Sequence, residues 1–485
     1  MKQPKQPVAV AYNLIVIGAG AAGLTAAYTA AAVKARVALI EQDRMGGDCL
    51  NSGCVPSKAL IRSARILAQA GRAREFGFNS IQIDFDFAGV MERVQRVINT
   101  IAPHDSIDRY TALGVDCYRG QAQILTPHSV TVNGQQLTTA NIIIATGARP
   151  LVPPIPGIDA VGYLTTDSIW SLRQLPARLL VLGGGPAGLE LAQCFVRLGS
   201  KVTLIETLPR ILSREDPEVS ELIAARFRQE GVEMLVQHQL TMCKTRNGEK
   251  IAVCTANGRA REIGFDALLA AVGRKANTEN FGLEDLRIEL SDRGTITTDR
   301  CMRTNYRNIY ACGDVAGPYQ FTHMAAYQAW HASVNALFGG IWKFKTDYAM
   351  VPAAIFTEPE VARVGLNEQE ARANNIAYET TRYDLADLDR AIADETATGL
   401  VQVLTVPGKD KILGATIVGE HAAELITTYI SAMRNNYGMK RIHNTIHIYP
   451  TLAEAGRFAA GIWRQAHAPR SLLGLAKLFH LWRRR

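Results

Sequence analysis

Two stretches of the chain share one pattern of apolar and polar positions. In each, a short apolar run is followed by closely spaced glycines, a helix-like segment and a second apolar run that ends in glutamate. The stretches read NLIVIGAGAAGLTAAYTAAAVKARVALIE and LLVLGGGPAGLELAQCFVRLGSKVTLIE. A buried strand, a glycine turn, a helix and a second strand form the βαβ unit that binds a dinucleotide. Two such units are far less expected by chance than one, so we predict two dinucleotide sites.

The glycines of both stretches have the spacing GxGxxG, which lets the backbone and a helix N-terminus approach a pyrophosphate. They are Gly18, Gly20 and Gly23 in the first stretch, and Gly183, Gly185 and Gly188 in the second. The glutamates that end the second strands, Glu41 and Glu206, are expected to bond a ribose. Because a carboxylate repels a 2′-phosphate, Glu206 favours NADH, although Arg210 close by could accommodate NADPH.

The rest of the pattern predicts an α/β chain of several domains, because 485 residues are too many for one compact core. Residues 61–115 are predicted to be helical, and residues 115–144 to form short strands with a hairpin turn at Asn133-Gly134. From residue 350, strands alternate with polar turns and then enter a helix, which predicts an α+β domain on an antiparallel sheet.

Composition narrows the class of protein. A hydrophobic fraction of 47% and a charged fraction of 20% are typical of a soluble globular protein, and eight cysteines do not make a disulfide scaffold. No basic stretch with interleaved aromatic residues suggests nucleic-acid binding, and no apolar run is long enough to span a membrane. The first residues, MKQPKQPVAVAYN, are not expected to be a signal peptide, because a strand follows almost at once. The expected location is the cytoplasm.

One segment carries reactive chemistry: GGDCLNSGCVPSKAL, with Cys49 and Cys54 separated by four residues. A close pair of cysteines can form a disulfide, and opening it yields a reactive thiolate. The alternatives are core cysteines or half of a zinc site. Zinc sites usually have tighter spacing and a second ligand pair, so the segment favours a redox pair and predicts no resident metal.

CLNSGCVPSKAL closely resembles the active-site segment of the flavin-dependent pyridine nucleotide–disulfide oxidoreductases, a family that includes dihydrolipoamide dehydrogenase, glutathione reductase and mercuric reductase. The resemblance implies that the first βαβ unit binds FAD and the second binds NAD(P)H. It makes Cys49 the interchange thiol that meets the substrate and Cys54 the thiol that contacts the flavin. Lys58 is then expected in the flavin pocket, paired with Glu190, for which a solvent-facing helical glutamate is the alternative.

Further segments resemble the family's cofactor contacts, and they include ATGARP, LLAAVGRKANTENFGLE, NIYACGDVAG and FTHMAAYQA. The residues expected to approach a cofactor are Ala122, Ala145, Thr146, Gly147, Gly273, Asp314 and Ala325. Asp314 is expected at the ribitol or phosphate region of the flavin, with a structural Asx-turn as the alternative. Cys312 is expected to be an inert packing thiol.

The resemblance also implies a domain order and a homodimer. We predict an FAD domain interrupted by an NAD(P) domain, then an interface domain and a tail. The boundaries are 1–150 and 281–349 for the FAD parts, 151–280 for the NAD(P) domain, 350–462 for the interface domain and 463–485 for the tail.

The last domain ends in IHIYPTLAEAGR, where disulfide reductases of the family have His-Pro-Thr-x-x-Glu, donated to the other subunit. Here Tyr449 precedes Pro450, Glu454 is retained, and His447 lies two residues before the tyrosine. A tyrosine, with a solution pKa of about 10, is a poor base for a thiol near neutrality. Efficient turnover of lipoamide or glutathione disulfide is therefore not expected.

Mercuric reductases of the family also have tyrosine near the metal route, but they carry C-terminal cysteines that deliver the metal, whereas the last cysteine here is Cys312. An N-terminal metal-carrying domain is not expected either. The predicted function is electron transfer from NAD(P)H through FAD and Cys49–Cys54 to a soft electrophile such as Hg(II). The alternatives are a dihydrolipoyl-dehydrogenase-like disulfide reductase that uses His447, a membrane-surface NADH:quinone reductase, and a slow redox-sensing or scaffold flavoprotein.

The tail, IWRQAHAPRSLLGLAKLFHLWRRR, is not explained by the resemblance. Its leucines fall largely on one face of a predicted helix and lie among basic residues. Such a helix can lie on an anionic membrane at the inner face or pack on protein. Packing on the protein's own dimer is the favoured expectation.

Overall fold

The computed structural model describes residues 10–484, apart from the side chain of Arg470. The prediction about a signal peptide concerns residues 1–13, of which residues 1–9 lie outside the described part, as does Arg485. The described chain forms two compact units. The larger comprises residues 10–73, 79–207 and 232–347, and the smaller comprises residues 74–78, 208–231 and 348–484. The domain boundaries predicted from the sequence cross these two units, because residues 74–78 and 208–231 belong to the smaller unit, and the finer division stays a prediction.

The larger unit begins with a sheet whose parallel strands follow the order β3-β2-β1-β6, and β4 and β5 extend β6 as an antiparallel meander. The strands up to residue 150 are β1 (Tyr12–Ile17), β2 (Val37–Glu41), β3 (Val115–Arg119), β4 (Ala122–Thr126), β5 (Ser129–Val132), β6 (Gln135–Ile144) and β7 (Ala148–Pro150). The hairpin turn between β5 and β6 was predicted correctly: Asn133 and Gly134 both have positive φ, as a two-residue hairpin loop requires.

The helix predicted after the first glycine loop is present as α1 (Ala21–Ala32). The helices predicted within residues 61–115 are present as the second part of α3 (Cys54–Gly71), α4 (Phe87–Ile101) and α5 (Ile107–Ala112), whereas the short helix α2 (Gly47–Asn51) and the first turns of α3 were not predicted. Helix α1 is nearly all alanine and glycine on its buried side, so it can lie close to the sheet. Side chains at Asp86 and Ser106 accept from backbone N–H groups at the start of α4 and α5, which fixes where those helices begin.

A second parallel sheet, of order β10-β9-β8-β14, has an antiparallel meander of three strands beside it. The strands are β8 (Arg178–Leu182), β9 (Lys201–Glu206), β10 (Glu233–Val236), β11 (Gln239–Arg246), β12 (Glu249–Ala256), β13 (Arg259–Phe265), β14 (Ala267–Ala270) and β15 (Arg274–Ala276). The helices along this stretch are α6 (Ile158–Val161), α7 (Pro186–Arg197) and α8 (Pro217–Gln229), of which α8 belongs to the smaller unit. Strand β15 pairs with β7, so the chain re-enters the first part of the larger unit beside the segment by which it left.

The larger unit is completed by β16 (Ile309–Ala311) and α9 (Thr322–Phe338). Strand β16 pairs in parallel with β6 and so adds a fifth parallel strand to the first sheet. Residues of α9 belong to the same hydrophobic core as α1 and β1. The two predicted Rossmann-like units are therefore confirmed, and the first is assembled from segments far apart in the sequence.

The smaller unit is built on an antiparallel sheet of order β17-β18-β21-β20-β19, which confirms the predicted α+β domain. Its strands are β17 (Pro352–Ile355), β18 (Glu360–Gly365), β19 (Glu379–Asp384), β20 (Leu400–Thr405) and β21 (Ile412–Gly419). Its further helices are α10 (Glu368–Ala373), α11 (Asp389–Ala393), α12 (Ala422–Leu425), α13 (Thr427–Arg434), α14 (Met439–Asn444), α15 (Glu454–Ala466) and α16 (Arg470–Arg483). Asp216, just before α8, accepts from the backbone N–H of Gln369 at 3.0 Å and from Gln402 Nε2 at 3.0 Å, which ties the 208–231 segment into this unit.

The tail forms the predicted helix, α16, directly after Pro469. Its apolar side chains are exposed in the described chain, so the expected packing on protein is not made within the protomer. Across residues 10–484, no helix is both long and apolar enough to cross a membrane.

Candidate active site

The first glycine loop is a backbone cradle that side chains could not occupy. Gly18 has φ +100°, and a Cβ on Gly23 would overlap the carbonyl oxygen of Gly18. Helix α1 starts directly after Gly20, and Glu41 Oε2 accepts from the backbone N–H of Ala19 at 2.6 Å. The structure therefore brings together the four parts predicted for the first dinucleotide site: β1, the glycine loop, α1 and the carboxylate of Glu41.

The second loop repeats this geometry. Gly183 has φ +110°, a Cβ on Gly188 would overlap the carbonyl oxygen of Gly183, and Glu206 Oε2 accepts from the N–H of Gly184 at 2.8 Å. Among the described residues, no side chain caps the N-terminus of α1 or of α7. Their first-turn N–H groups therefore remain available to a phosphate, and both loops fit a dinucleotide.

The two cysteines are held by short-range and long-range contacts. Cys49 lies in α2 and Cys54 begins α3. Asn51 Nδ2 donates to the carbonyl oxygens of Met45 at 3.0 Å and Gly47 at 2.7 Å, which closes the turn of α2. The turn between the cysteines is also held from outside, because Ser52 Oγ donates to Asp167 Oδ1 at 3.0 Å and Trp170 Nε1 donates to the carbonyl oxygen of Ser52 at 2.9 Å. Sequence reasoning missed Asp167 and Trp170.

Cys49 and Cys54 are free thiols in the structure, which is the reduced form of the expected disulfide. A hydrogen bond from Cys49 to Cys54 raises the pKa of Cys49, and burial raises it further. The same hydrogen bond lowers the pKa of Cys54 to about 6 against the opposing effect of burial, with help from Thr322 and the Lys58 ammonium. These directions favour Cys54 as the thiolate and Cys49 as the neutral thiol when the pair holds one proton.

Thr322 is a further contact that the sequence did not point to. Its Oγ1 lies 3.3 Å from Cys54 Sγ, at the start of α9. A hydroxyl at this distance from sulfur stabilises the thiolate by donating a hydrogen bond. In the sequence, the segment FTHMAAYQA indicated Ala325 as a residue that approaches a cofactor, and it gave no reason to single out Thr322.

Lys58 and Glu190 form the pair that the sequence suggested. Lys58 Nζ lies 2.8 Å from Glu190 Oε2, with the lysine on α3 and the glutamate on α7. Glu190 is buried, so the alternative of a solvent-facing glutamate is wrong. This ion pair links the helix that follows the cysteines with the helix of the second glycine loop.

Arg274 connects three segments of the larger unit. Its Nη2 donates to the carbonyl oxygen of Ala148 at 2.7 Å and to Asp48 in α2, and its Nε lies 3.3 Å from Asp314 Oδ2. Asp314 follows β16, and burial raises its pKa to about 6 although Arg274 opposes the shift. Neither Arg274 nor Asp48 was proposed from the sequence, because no spacing pattern relates residues 226 positions apart.

The other residues expected at a cofactor lie in the larger unit, in loops, at strand ends and, for Ala325, in α9. The N–H of Ala145 donates to the Ile17 carbonyl oxygen at 2.8 Å, and Thr146 Oγ1 donates to the Asn277 carbonyl oxygen at 2.7 Å. Among these expected cofactor residues, Gly147 and Gly273 have positive φ. Ala122, at the start of β4, and Ala325, in α9, are buried. Cys312 is buried, which raises its pKa to about 12 and fits the expected inert thiol.

The residues expected at the acceptor site lie in the smaller unit. Tyr449 is exposed, and its hydroxyl donates to Asp389 Oδ2 at 3.1 Å, a contact that raises the pKa of the phenol. Glu454 is buried and accepts from the backbone N–H of Thr451 at 3.3 Å. His447 Nδ1 lies 2.9 Å from the Thr445 carbonyl oxygen. The structure therefore brings Tyr449 to Asp389, a residue that sequence reasoning missed.

Arg210 is engaged within the smaller unit. Its Nη2 donates to the carbonyl oxygens of Ser213 at 3.1 Å and Glu215 at 3.3 Å. The expected accommodation of a 2′-phosphate by Arg210 gains no support from this arrangement. Across residues 10–484, no three His, Cys, Asp or Glu side chains are grouped so that they could hold a metal ion.

Comparisons with known proteins establish the family of this chain. The model of the pyridine nucleotide-disulphide oxidoreductase family matches residues 12–329, and the model of the dimerisation domain of that family matches residues 351–460. Dihydrolipoyl dehydrogenase from Chlamydia muridarum is 34% identical over 452 residues, which cover 92% of this chain and 95% of that protein. Mercuric reductase from Staphylococcus aureus is also 34% identical, over 454 residues that cover 93% of this chain and 82% of that protein.

Among solved structures, the HOCl-induced flavoprotein disulfide reductase RclA from Escherichia coli has a TM-score of 0.83 and 29% identity, covering 93% of this chain and all of that one. A structure of RclA with Cu(II) has a TM-score of 0.82. The relatives thus include enzymes with different acceptors, while the FAD and NAD(P)H of the family fit the two glycine loops. The dimerisation domain supports a homodimer. The chain belongs to the pyridine nucleotide-disulphide oxidoreductase family of FAD-dependent enzymes that use NAD(P)H.

Proposed function

We propose that this enzyme passes electrons from NAD(P)H, through FAD and the Cys49–Cys54 pair, to a soft electrophilic metal cation, of which Hg(II) is the representative. The observation that carries the proposal is the contact of Tyr449, where disulfide reductases of the family have their base, with Asp389 Oδ2 at 3.1 Å. The mercuric reductase from Staphylococcus aureus is as similar to this chain as the dihydrolipoyl dehydrogenase, so identity alone does not choose between the two.

Residues of the larger unit would hold FAD and act on the cysteine pair. The first-turn N–H groups of α1, Glu41 and Asp314 would hold the nucleotide, and Lys58 would lie in the flavin pocket. When bound, FAD supplies the two-electron reduction of the Cys49–Cys54 disulfide with NAD(P)H as the source. Thr322 and Lys58 then keep Cys54 in its thiolate form, because both lower its pKa.

A disulfide acceptor needs a base at the interchange thiol. Cys49 must lose its proton before it can attack a disulfide, because the thiolate is the nucleophile. Tyr449 is a poor base for this step, since its hydrogen bond to Asp389 raises a phenol pKa that is already about 10. Glu454 is engaged with the Thr451 N–H rather than with Tyr449. Slow turnover of disulfides follows.

A soft divalent cation can do without that base. Thiolates bind such cations strongly, so the metal ion displaces the proton of Cys49 to solvent and bridges the sulfurs of Cys49 and Cys54. Forming the S–S bond then releases two electrons, the number that converts the divalent cation to the neutral metal. The disulfide is regenerated and the neutral metal leaves, so atoms and electrons balance.

The test compares acceptors on one preparation of the holoenzyme. Wild type should turn over Hg(II) efficiently and lipoamide or glutathione disulfide slowly. Tyr449→His should raise disulfide turnover by about tenfold or more, because a positioned imidazole restores the base. Reduction of the flavin by NADH, measured by stopped flow, should be unchanged and serves as the control. Fast disulfide reduction by wild type that Tyr449→Phe leaves intact would overturn the proposal.

A disulfide reductase that uses His447 is the second candidate, and one contact favours it. If His447 Nδ1 donates to the Thr445 carbonyl oxygen at 2.9 Å, then Nε2 carries the lone pair and can accept a proton. His447→Ala should then abolish lipoamide turnover and spare Hg(II) turnover. Under the first proposal, His447→Ala changes neither activity by more than about twofold, a margin that allows for small packing effects.

A further inference from the structure

The helix α16, here called the tail helix, presents an apolar face that the described chain leaves uncovered. At 100° per residue, five large side chains fall within an arc of about 120°. They are Leu472, Leu475, Leu478, Phe479 and Trp482, and each is between 50% and 72% exposed. Five such side chains on one arc form a contiguous apolar stripe, which marks an interaction surface.

The charge around this stripe has one sign. Residues 455–485 contain seven Lys and Arg residues and no Asp or Glu, while the whole chain has a formal net charge of +8. The seven are Arg457, Arg464, Arg470, Lys477, Arg483, Arg484 and Arg485. Lys477, and Arg484 at the C-cap, fall on the side opposite the apolar stripe, where Leu473 and Leu481 also lie, so the helix is basic and the stripe is its most apolar arc.

We propose that the tail helix binds the surface of an anionic lipid bilayer. A helix with an apolar face and a basic polar face lies in the interface, where the apolar side chains enter the acyl boundary and the cations attract anionic headgroups. Phe479 and Trp482 belong to the residue types that favour this depth. The proposal goes beyond the proposed function, since it holds whichever acceptor the enzyme uses.

Charge decides against a second tail helix as the occupant. Two tail helices packed face to face would bring two strongly positive segments together without any acid of their own to compensate. An anionic bilayer complements both the apolar stripe and the basic residues. Residues 339–345, GGIWKFK, are a further exposed apolar and basic segment, in which Trp342 is 62% exposed, and they provide an internal control.

The experiment measures co-sedimentation of the full-length holoenzyme with vesicles. We expect binding to phosphatidylcholine vesicles that contain phosphatidylglycerol as 30% of the lipid, and binding weaker by about tenfold or more to pure phosphatidylcholine or in 0.5 M NaCl, because the attraction is electrostatic. Leu475→Asp with Leu478→Asp, and separately Lys477→Gln with Arg484→Gln, should each weaken binding by about tenfold or more. NADH oxidation without vesicles should be unchanged in both variants.

Trp342→Ala is the matched control and should bind the anionic vesicles as wild type does. Equal binding to both kinds of vesicle, no binding at all, or loss of binding in Trp342→Ala would overturn the proposal. A tail helix that holds copies of the chain together would instead change the sedimentation-equilibrium mass in Leu475→Asp with Leu478→Asp, and that result without vesicle binding would also overturn it.

Discussion

The two glycine loops of the larger unit have the same backbone and different surroundings. Gly18 and Gly183 have φ of +100° and +110°, and in each loop a glutamate from the second strand accepts a backbone N–H bond. The packing against the middle glycine of each loop differs. In the first loop, Gly20 lies so close to α2 that a Cβ on Gly47 would be 2.6 Å from Gly20 Cα. In the second loop, no atom of the described residues lies within 4 Å of a Cβ built on Gly185. The first loop is covered by the cysteine-bearing helix, and the second is open.

We propose that this difference suits the two roles that the motif has in the family. A nucleotide on the covered loop would lie beside the cysteine-bearing helix α2, as suits a resident cofactor such as FAD. A nucleotide on the open loop would exchange in every turnover, as NAD(P)H must. On this proposal, the motif specifies dinucleotide binding, and the segment packed against it specifies which of the two tasks the site performs.

The largest expected effect comes from breaking the covered loop. Gly47 has φ +59° and meets backbone atoms, so Gly47→Ala should lower the free energy of unfolding by about 2–3 kcal/mol, through strain and overpacking. It should also release most of the flavin. Thermal unfolding and the ratio of flavin to protein absorbance measure the two effects.

Gly185→Ala, at the middle glycine of the open loop, is the change for comparison. Its φ is −81° and its Cβ meets nothing, so the melting temperature and flavin content should stay at their wild-type values, while KM for NADH rises. If Gly47→Ala keeps a full complement of flavin, the covering of the first loop by α2 is not what retains the cofactor.

A smaller effect is expected from changing Glu41 or Glu206, the carboxylates that end β2 and β9. Glu206→Ala removes the group that favours a ribose diol over a phosphate, and a charged hydrogen bond contributes about 1.5–3 kcal/mol. The ratio of kcat/KM for NADH over NADPH should therefore fall by about tenfold or more. Glu41→Ala should lower flavin retention and leave that ratio unchanged. A wild-type enzyme that prefers NADPH would show that another residue sets the preference.

Much of this arrangement could be predicted from the sequence, because it depends on local spacing. Glycine positions, strand-ending glutamates and the Asn133-Gly134 turn are short-range features, and the structure has them where the pattern put them. Long-range contacts escaped prediction. Asp389 lies 60 residues from Tyr449. Arg274 lies 226 residues from Asp48, and no periodicity links such positions.

Lys58 and Glu190 are the exception among long-range contacts. Their pairing could be suggested only because the resemblance to a known family supplied it, and spacing in this chain does not. The tail helix shows the complementary limit. Its amphipathic pattern predicted a helix, but the pattern alone does not distinguish a protein surface from a lipid surface, so the favoured packing on protein could not be derived from it.

The third prediction concerns Thr322, whose Oγ1 lies 3.3 Å from Cys54 Sγ beside the covered loop. Its hydroxyl lowers the pKa of Cys54, so Thr322→Val should raise that pKa by about half to one unit, the worth of one hydrogen bond. The long-wavelength thiolate–flavin band of the reduced enzyme reports the thiolate. In wild type the band should be lost as pH falls through about 6, and in Thr322→Val it should be lost at higher pH. Thr322→Ser should behave as wild type.

The smallest effect should come from the Lys58–Glu190 ion pair, which joins α3 to α7 of the second βαβ unit. Lys58 lowers the pKa of Cys54 through its charge, and it does so less strongly than the hydrogen bond from Thr322. Lys58→Met should therefore shift the loss of the band to higher pH by a few tenths of a unit, about 0.5 kcal/mol. Glu190→Gln should shift it in the opposite direction, because the carboxylate 2.8 Å from Lys58 Nζ no longer offsets the ammonium. Lys58→Arg keeps the charge and is the control. Shifts of the same sign in Lys58→Met and Glu190→Gln would mean that the pair acts by positioning α3 against α7, and the electrostatic link between the open loop and the thiols would then be wrong.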